Sequence, residues 1–189
     1  YYVGFFTSVK NKFYKNKSKK LGKENLKDWK KIKKKFDPEV YIPISIGRIR
    51  ESLYKKIYKK NYSNLIFKNS YISNSSKKFL KNNKGIIIKK FVKIMPDVKI
   101  HDGVNININC QIHHGSTIGK FATLAPASVI LGNVKIGNYS FIGANATIRE
   151  KVKIGKNCII GAGAVVLKNV NDYGIVAGSP ARLIGKNKN

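Results

Sequence analysis

Residues 88–171 read IKKFVKIMPDVKIHDGVNININCQIHHGSTIGKFATLAPASVILGNVKIGNYSFIGANATIREKVKIGKNCIIGAGAVVLKNVN. Every sixth residue of this stretch, from Ile88 to Val166, is a branched aliphatic, which gives fourteen in an unbroken series. A second series lies four residues after the first, from Val92 to Val170, and all its members are small or β-branched. Because only 42% of the chain is hydrophobic, this regularity is not a chance outcome. A strict short period of this kind predicts a parallel β-helix.

The residues between the two series are of the types that turn corners. Glycine often follows the aliphatic directly, and asparagine or glycine often stands three places after it. Both types accept the left-handed backbone conformation that a tight corner requires. Burial of the aliphatics would contribute about 1.5–3 kcal/mol each before conformational entropy is subtracted. The stretch therefore predicts a self-sufficient core, with a β-sandwich of fortuitous spacing as the alternative interpretation.

The first third of the chain lacks this regularity and predicts a different unit. Hydrophobic spacing indicates strands at residues 1–7 and 40–46 and amphipathic helices at residues 24–36 and 48–61. Strand, helix, strand, helix is the order of a small parallel α/β unit. Residues 1–64 are therefore predicted to form a partial α/β domain.

The start and end of the β-helix are less regular than its middle. Two isolated hexads, at Ile66 and Ile72, are expected to begin it. Residues 77–87 break the six-residue phase and are expected to form a loop. The β-helix domain is accordingly placed at residues 65–189, and the residues behind the repeat are expected to form a C-terminal tail.

The chain is strongly basic, with a formal net charge of +29 at pH 7. Such a charge indicates either a nucleic-acid or anionic-membrane partner, or a composition biased toward Lys, Asn and Ile. Lysines occur in both halves and no nucleic-acid-binding motif accompanies them, which favours biased composition and predicts no nucleic-acid partner. No apolar run is long enough to span a membrane, and no signal peptide is evident. Cys110 and Cys158 fall in the small-residue series as core thiols, so a cytoplasmic location is expected.

Several blocks, in their order along the chain, carry a resemblance to a known family. They are VGFFTS (3–8), ISIG (44–47) followed by Arg50, INCQIHHGSTIGKF (108–121), GNVKIG (132–137), FIGANATI (141–148), IIGAGAVV (159–166) and GSPAR (178–182). The chain resembles the hexapeptide-repeat acyltransferases, and within them the sialic acid O-acetyltransferases and the UDP-4-amino-sugar N-acetyltransferases of bacillosamine synthesis. The resemblance implies a mainly β fold, with a left-handed parallel β-helix behind a small, N-terminally truncated Rossmann-like domain.

The same resemblance implies a function. Members of this family transfer an acetyl group from acetyl-CoA to an amino or hydroxyl group of a sugar, either a nucleotide-linked amino sugar or sialic acid. The expected role is therefore in bacterial surface-glycan synthesis, and the expected assembly is a homotrimer with each acetyl-CoA site between two β-helices. A catalytically weak or inactive scaffold of glycan assembly is the alternative. The residues alone do not decide between N- and O-acetylation.

The resemblance also implies roles for individual residues. His114 falls on the catalytic base, and Gly132, eighteen residues later, falls on the backbone donor to the thioester carbonyl. The implied acetyl-CoA contacts are Thr123, Gly132, Ala144, Ala162, Lys168 and Arg182. The implied acceptor contacts are Thr7, Ser8 and Gly47.

Two positions depart from the pattern of the family. Gly115 replaces the acidic residue that usually follows the base, and Thr123 replaces a histidine that contacts acetyl-CoA. These departures predict reduced or divergent activity, and without the resemblance His114 would be interpreted as an exposed corner residue. A zinc site would need converging histidines, and His101, His113 and His114 do not share a register that provides them, so no metal is expected.

Overall fold

The computed structural model describes residues 45–57 and 63–188. Two helices lie in this part of the chain, α1 at Gly47–Ile57 and α2 at Asn74–Lys81. The helix predicted at residues 48–61 is confirmed by α1 over its described part. The elements predicted between residues 1 and 44, and with them Thr7 and Ser8, lie outside the described residues.

Eighteen short strands follow one another along the described chain. The first eight are β1 Leu65–Ile66, β2 Tyr71–Ile72, β3 Ile87–Ile88, β4 Lys93–Ile94, β5 Lys99–Ile100, β6 Asn105–Ile106, β7 Gln111–Ile112 and β8 Thr117–Ile118. The next eight are β9 Thr123–Leu124, β10 Val129–Ile130, β11 Lys135–Ile136, β12 Phe141–Ile142, β13 Thr147–Ile148, β14 Lys153–Ile154, β15 Ile159–Ile160 and β16 Val165–Val166. The last two, β17 Gly174–Ala177 and β18 Arg182–Lys186, are longer.

The strands stack into three sheets, which form the three faces of a β-helix. Face A contains β1, β3, β6, β9, β12, β15, β17 and β18; face B contains β2, β4, β7, β10, β13 and β16; face C contains β5, β8, β11 and β14. Except for β17 and β18, neighbouring strands are parallel, and most are eighteen residues apart, as in the register Gln111, Val129, Thr147 on face B. Three hexads therefore make one coil, and the predicted parallel β-helix is confirmed.

The two sequence series form the core of the β-helix. Every aliphatic from Ile88 to Val166 is at most 3% exposed, and every member of the second series is buried as well. The polar members of that series are hydrogen-bonded inside the core. Ser116, for example, donates through its hydroxyl to the Leu131 carbonyl (2.8 Å) and accepts from the Val134 N–H (3.1 Å). This pairing removes the penalty of burying a hydroxyl group.

A turn follows each strand of the regular coils, and we name the corners A–B, B–C and C–A after the faces that they join. Many corner residues adopt a left-handed backbone, and four of the asparagines predicted to do so are confirmed, with φ of 53–61°: Asn109, Asn133, Asn145 and Asn157. Phe121 and Tyr139, both at the C–A corner, adopt the same conformation with φ of 55° and 60°. This conformation is strained for residues with a side chain. Both rings pack against α1, Phe121 on Tyr54 and Tyr139 on the guanidinium of Arg48.

The loop predicted at residues 77–87 is wrong over its first part, where the chain forms α2. Ser73 caps this helix by accepting from the Ser76 N–H (3.4 Å), and Leu80 packs into the core at 5% exposure. The helix occupies the place of a first strand on face C. Because a helical turn takes up more residues than a strand, Leu65 pairs with Ile87, twenty-two residues later. The six-residue count could not show this, since α2 follows a helical period.

The residues of the predicted C-terminal tail form a hairpin. β17 continues face A in parallel with β15, and β18 returns antiparallel beside β17. The added strand covers the edge that face A would otherwise expose at this end.

Candidate functional site

His114 lies on the B–C corner, two residues after the end of β7. Its backbone is fixed from both neighbouring coils, because the Asn133 N–H donates to the His114 carbonyl (2.8 Å) and the Gly115 N–H donates to the Pro96 carbonyl (3.1 Å). Its imidazole is exposed. The corner therefore presents a histidine on a rigid backbone with its ring at the protein surface.

Gly132 lies one coil further along the same corner, and His114 covers it. A Cβ atom built on Gly132 would lie 2.8 Å from both Cε1 and Nε2 of His114. The Gly132 carbonyl accepts from the Lys151 N–H (2.9 Å), but within the described part of the chain no hydrogen bond uses the Gly132 N–H. The structure thus brings the two predicted catalytic residues together. An imidazole can accept a proton and a backbone N–H can donate a hydrogen bond, and acyl transfer requires both groups.

The glycine after His114 is also explained by its surroundings. Gly115 has φ of 68°, and a Cβ atom on it would overlap Oδ1 of Asn133 on the next coil. An acidic side chain at this position would therefore have to displace the Asn133 carboxamide. His113, on the other side of His114, is half-buried.

Ala144 and Ala162 stack on neighbouring coils at the A–B corner, where the Gly163 N–H donates to the Ala144 carbonyl (2.7 Å). Ala162 is exposed and Ala144 is half-buried. Face B separates this corner from the B–C corner that carries His114. Within one chain, the two alanines and the histidine are therefore not brought together.

Lys168 and Arg182 line one cleft at the C-terminal end of the β-helix, together with Asp172 and Lys186. Lys168 lies on the same B–C corner as His114, three coils further toward the C-terminus. At the usual strand spacing this separation is about 14 Å. Two of the predicted acetyl-CoA contacts thus line one cleft, and Lys168 lies on the corner that carries His114.

Thr123 and Gly47 are both used where α1 docks on the β-helix. Thr123 is 1% exposed; its hydroxyl donates to the Ser45 carbonyl (2.7 Å) and accepts from Nη1 of Arg50 (3.2 Å). A Cβ atom on Gly47 would overlap the Phe121 carbonyl oxygen, so this glycine permits a close approach of α1 to the corner. The geometry therefore gives no support to acetyl-CoA contact by Thr123. It gives Gly47 a packing role.

Arg50 is an anchor whose role sequence reasoning missed. Its side chain is fully buried and donates to the carbonyls of Gly103 (2.8 Å) and Phe121 (2.8 Å). Burial lowers the pKa of the guanidinium to about 10. Tyr139 adds a second link, because its hydroxyl donates to Oε2 of Glu51 (3.1 Å). The pairs span more than fifty residues of sequence, and no local pattern could have indicated them.

The three faces differ in what they present outward. On the four strands that follow β4 on face B, the outward side chains are all uncharged: Gln111, Val129, Thr147 and Val165. On face A, the outward side chains of β3 and β9 are covered, with Ile87 and Thr123 each 1% exposed. Among the described residues no group of three or more His, Cys, Asp or Glu is placed to hold a metal ion. Neither described helix is long and apolar enough to cross a bilayer.

The sequence match agrees with this architecture. Residues 133–168 match the family described as bacterial transferase hexapeptide (six repeats). These residues carry the bacterial transferase hexapeptide repeat, and the predicted resemblance to the hexapeptide-repeat acyltransferases is confirmed.

Solved structures narrow the comparison. The chain is similar to PerB from Caulobacter crescentus in complex with CoA and GDP-perosamine, at 28% identity over 78% of this chain and 70% of that chain, with a TM-score of 0.72. It is similar to a mutant of the GDP-perosamine N-acetyl transferase of Caulobacter crescentus, also in complex with CoA and GDP-perosamine, at 25% identity over 86% and 76%, with a TM-score of 0.79. The acetyltransferase domain of PglB from Neisseria gonorrhoeae, in complex with acetyl coenzyme A, shares the fold at 24% identity over 77% and 70%, with a TM-score of 0.72.

Proposed function

We propose that this protein transfers the acetyl group of acetyl-CoA to an amino or hydroxyl group of a sugar in bacterial surface-glycan synthesis. The observation that carries the proposal is the placement of the His114 imidazole beside Gly132, whose N–H makes no hydrogen bond within the described residues. Similarity to a CoA-bound sugar-nucleotide complex at 28% identity supports it. Acetyl-CoA and sugar nucleotides are cytoplasmic compounds, so the proposed reaction takes place there.

In the proposed mechanism, His114 accepts the proton of the acceptor amine or hydroxyl as that group attacks the thioester carbonyl. The Gly132 N–H donates a hydrogen bond to the carbonyl oxygen while it carries negative charge. Collapse of the tetrahedral intermediate breaks the C–S bond and releases the CoA thiolate. The proton held by His114 then passes to that thiolate, which restores the neutral imidazole.

Face B separates the A–B corner from the B–C corner, so one chain cannot bring the residues of both corners together. This separation supports a site built from two copies. If face B points toward a three-fold axis, the B–C corner of one copy lies beside the A–B corner of the next. His114 and Gly132 of one protomer would then face the Ala144 and Ala162 positions of its neighbour across a groove. The uncharged outward residues of face B fit this buried position. Lys168 and Arg182 would receive the phosphates of CoA at the end of the groove.

For the acceptor we propose a nucleotide-linked amino sugar, held by the N-terminal region of residues 1–64. Thr7 and Ser8 remain candidate contacts in that region. The contribution of Gly47 is better explained by its close approach to the Phe121 carbonyl. An amine is the favoured acceptor group, because the similar complexes hold GDP-perosamine.

The deciding experiment measures CoA release from acetyl-CoA with GDP- and UDP-linked amino sugars and with sialic acid as separate acceptors. We expect turnover with a nucleotide-linked amino sugar. Absence of turnover with every acceptor, together with no acetyl-CoA binding by calorimetry, would favour a scaffold role instead.

Sedimentation equilibrium should give about three times the chain mass of 21.2 kDa. A monomer at micromolar concentration would remove the two-copy site.

A further inference from the structure

The outward side chains of face C carry a concentration of positive charge. The outward residues of β5, β8, β11 and β14 are Lys99, Thr117, Lys135 and Lys153, so three of the four are lysine. On face B only Lys93 among six outward residues is a lysine. The outward residues of β1 to β15 on face A include none. Biased composition alone would distribute lysine over all outward positions.

Lys135 and Lys153 are paired in register on neighbouring strands. Parallel strands lie about 4.8 Å apart, and like charges directly opposite destabilise a sheet. At the adjoining C–A corner, Lys120 and Lys156 lie 3.7 and 3.5 Å from aspartate oxygens. Within the described part of the chain, neither Lys135 nor Lys153 forms such an ion pair. The pair therefore presents two neighbouring charges that an anion would neutralise.

This lysine pair adjoins the proposed catalytic corner. Lys135 is the third residue after Gly132, and Thr117 is the third residue after His114. Thr117 is in register with Lys135 on the neighbouring strand β8, which follows His114 in the chain. On that coil, the outward residue of face C therefore carries a neutral hydroxyl. In the proposed trimer, face C forms one wall of the groove that opens at His114. An anionic substrate bound along this wall would lie against both lysines.

We propose that Lys135 and Lys153 bind the diphosphate of a nucleotide substrate beside the His114 corner, an inference that rests on the proposed acetyl transfer. Each ammonium group can donate to phosphate oxygens, and such charge-assisted hydrogen bonds are strong. The same diphosphate would relieve the repulsion between the two lysines. A diphosphate occurs both in a sugar nucleotide and in CoA, so the two sources are tested separately.

The test is calorimetric titration of the intact protein with UDP, GDP and CoA, for the wild type and for the double variant Lys135→Gln/Lys153→Gln. We expect the affinity for at least one of these ligands to fall about tenfold, the effect of losing charge-assisted contacts at an exposed site. The KM of the substrate that carries the same diphosphate should rise by a similar factor. A loss for UDP or GDP assigns the lysines to the acceptor, and a loss for CoA assigns them to acetyl-CoA.

Lys68→Gln/Lys90→Gln is the matched control, because it removes the same charge from two exposed lysines on the first coils of the A–B corner. It should leave all three affinities unchanged. Unchanged affinities in the face C variant overturn the proposal, even if the protein transfers acetyl groups. An equal loss in the control, or no binding of any ligand by the wild type, overturns it too. Loss of binding in a protein that shows no turnover keeps the lysine site and rejects the proposed function.

Discussion

The imidazole of His114 fills the space in which a side chain on Gly132 would begin. A Cβ atom on Gly132 would lie 2.8 Å from Cε1 and Nε2 of the ring, closer than such atoms normally approach. The backbone of Gly132 is outside the left-handed region, so its conformation alone does not require glycine. The position of the ring therefore depends on the absence of a side chain at Gly132.

Gly132→Ala should therefore displace the imidazole while leaving the backbone unchanged. We expect kcat to fall about 100-fold, because a displacement of about 1 Å at a catalytic group has this effect. Gly185→Ala is the control, since its added Cβ would make an ordinary contact of 3.8 Å with Cδ1 of Ile175. Thermal melts should show little change for either variant. Full activity in Gly132→Ala would show that the ring position does not matter for transfer.

His114→Ala should lower kcat by about 10²–10⁴-fold, the usual contribution of a general base. The KM for acetyl-CoA should change little, because most of the proposed contacts of that substrate are at the A–B corner of the neighbouring copy and at Lys168 and Arg182. His101→Ala, at the C–A corner, serves as the control and should behave as the wild type. His113→Ala should have a milder effect than His114→Ala, because neighbouring corner side chains cannot both face the acceptor. If His114→Ala keeps full kcat in the CoA-release assay, the base is another group.

The β-helix could be predicted because each hexad repeats one environment. A branched aliphatic therefore occupies every inward position of the series from Ile88 to Val166. The His114–Gly132 pair could be predicted for the same reason, since residues eighteen apart stack at one corner. The docking of α1 could not, because the bond between Thr123 and Ser45 joins residues seventy-eight apart. A sequence shows which residues point outward from a coil, but it does not show which of them another segment covers.

Restoring a carboxylate next to His114 requires two changes. Gly115→Asp alone should destabilise the protein by about 1–2 kcal/mol, because the left-handed backbone at this position disfavours a Cβ, and the side chain would also meet Asn133. Adding Asn133→Gly removes that obstruction. A carboxylate beside His114 stabilises the imidazolium that forms in the reaction, so kcat of the double variant should equal or exceed that of Asn133→Gly alone. A lower kcat would mean that this site works without an acidic partner.

The two thiols should be unreactive in the folded protein. Cys110 and Cys158 are free and fully buried. Burial raises the pKa of both thiols, so little of the reactive thiolate is present at neutral pH. Mass spectrometry after iodoacetamide treatment should find neither residue modified in the native protein and both modified in urea. Rapid modification of Cys158 without urea would show that the last coils open readily.

Thr123→Val tests whether Thr123 holds α1 or contacts the cofactor. Valine keeps the shape but removes the bonds of the hydroxyl to the Ser45 carbonyl (2.7 Å) and to Nη1 of Arg50 (3.2 Å). Leaving a buried polar group without this partner should lower the free energy of unfolding by about 1–3 kcal/mol. Thr117→Val is the control. It changes the same residue type at the equivalent outward position of face C, where the side chain makes no hydrogen bond within the described residues.

Urea denaturation should place Thr117→Val within about 0.5 kcal/mol of the wild type. Since Thr123 is 1% exposed beneath α1, both variants should keep the wild-type KM for acetyl-CoA. The two readouts separate the alternatives, because a docking residue changes stability and a cofactor residue changes KM. A tenfold rise in the acetyl-CoA KM of Thr123→Val, with wild-type stability, would restore the cofactor contact expected from the sequence. It would also require α1 to move away from this position when acetyl-CoA binds.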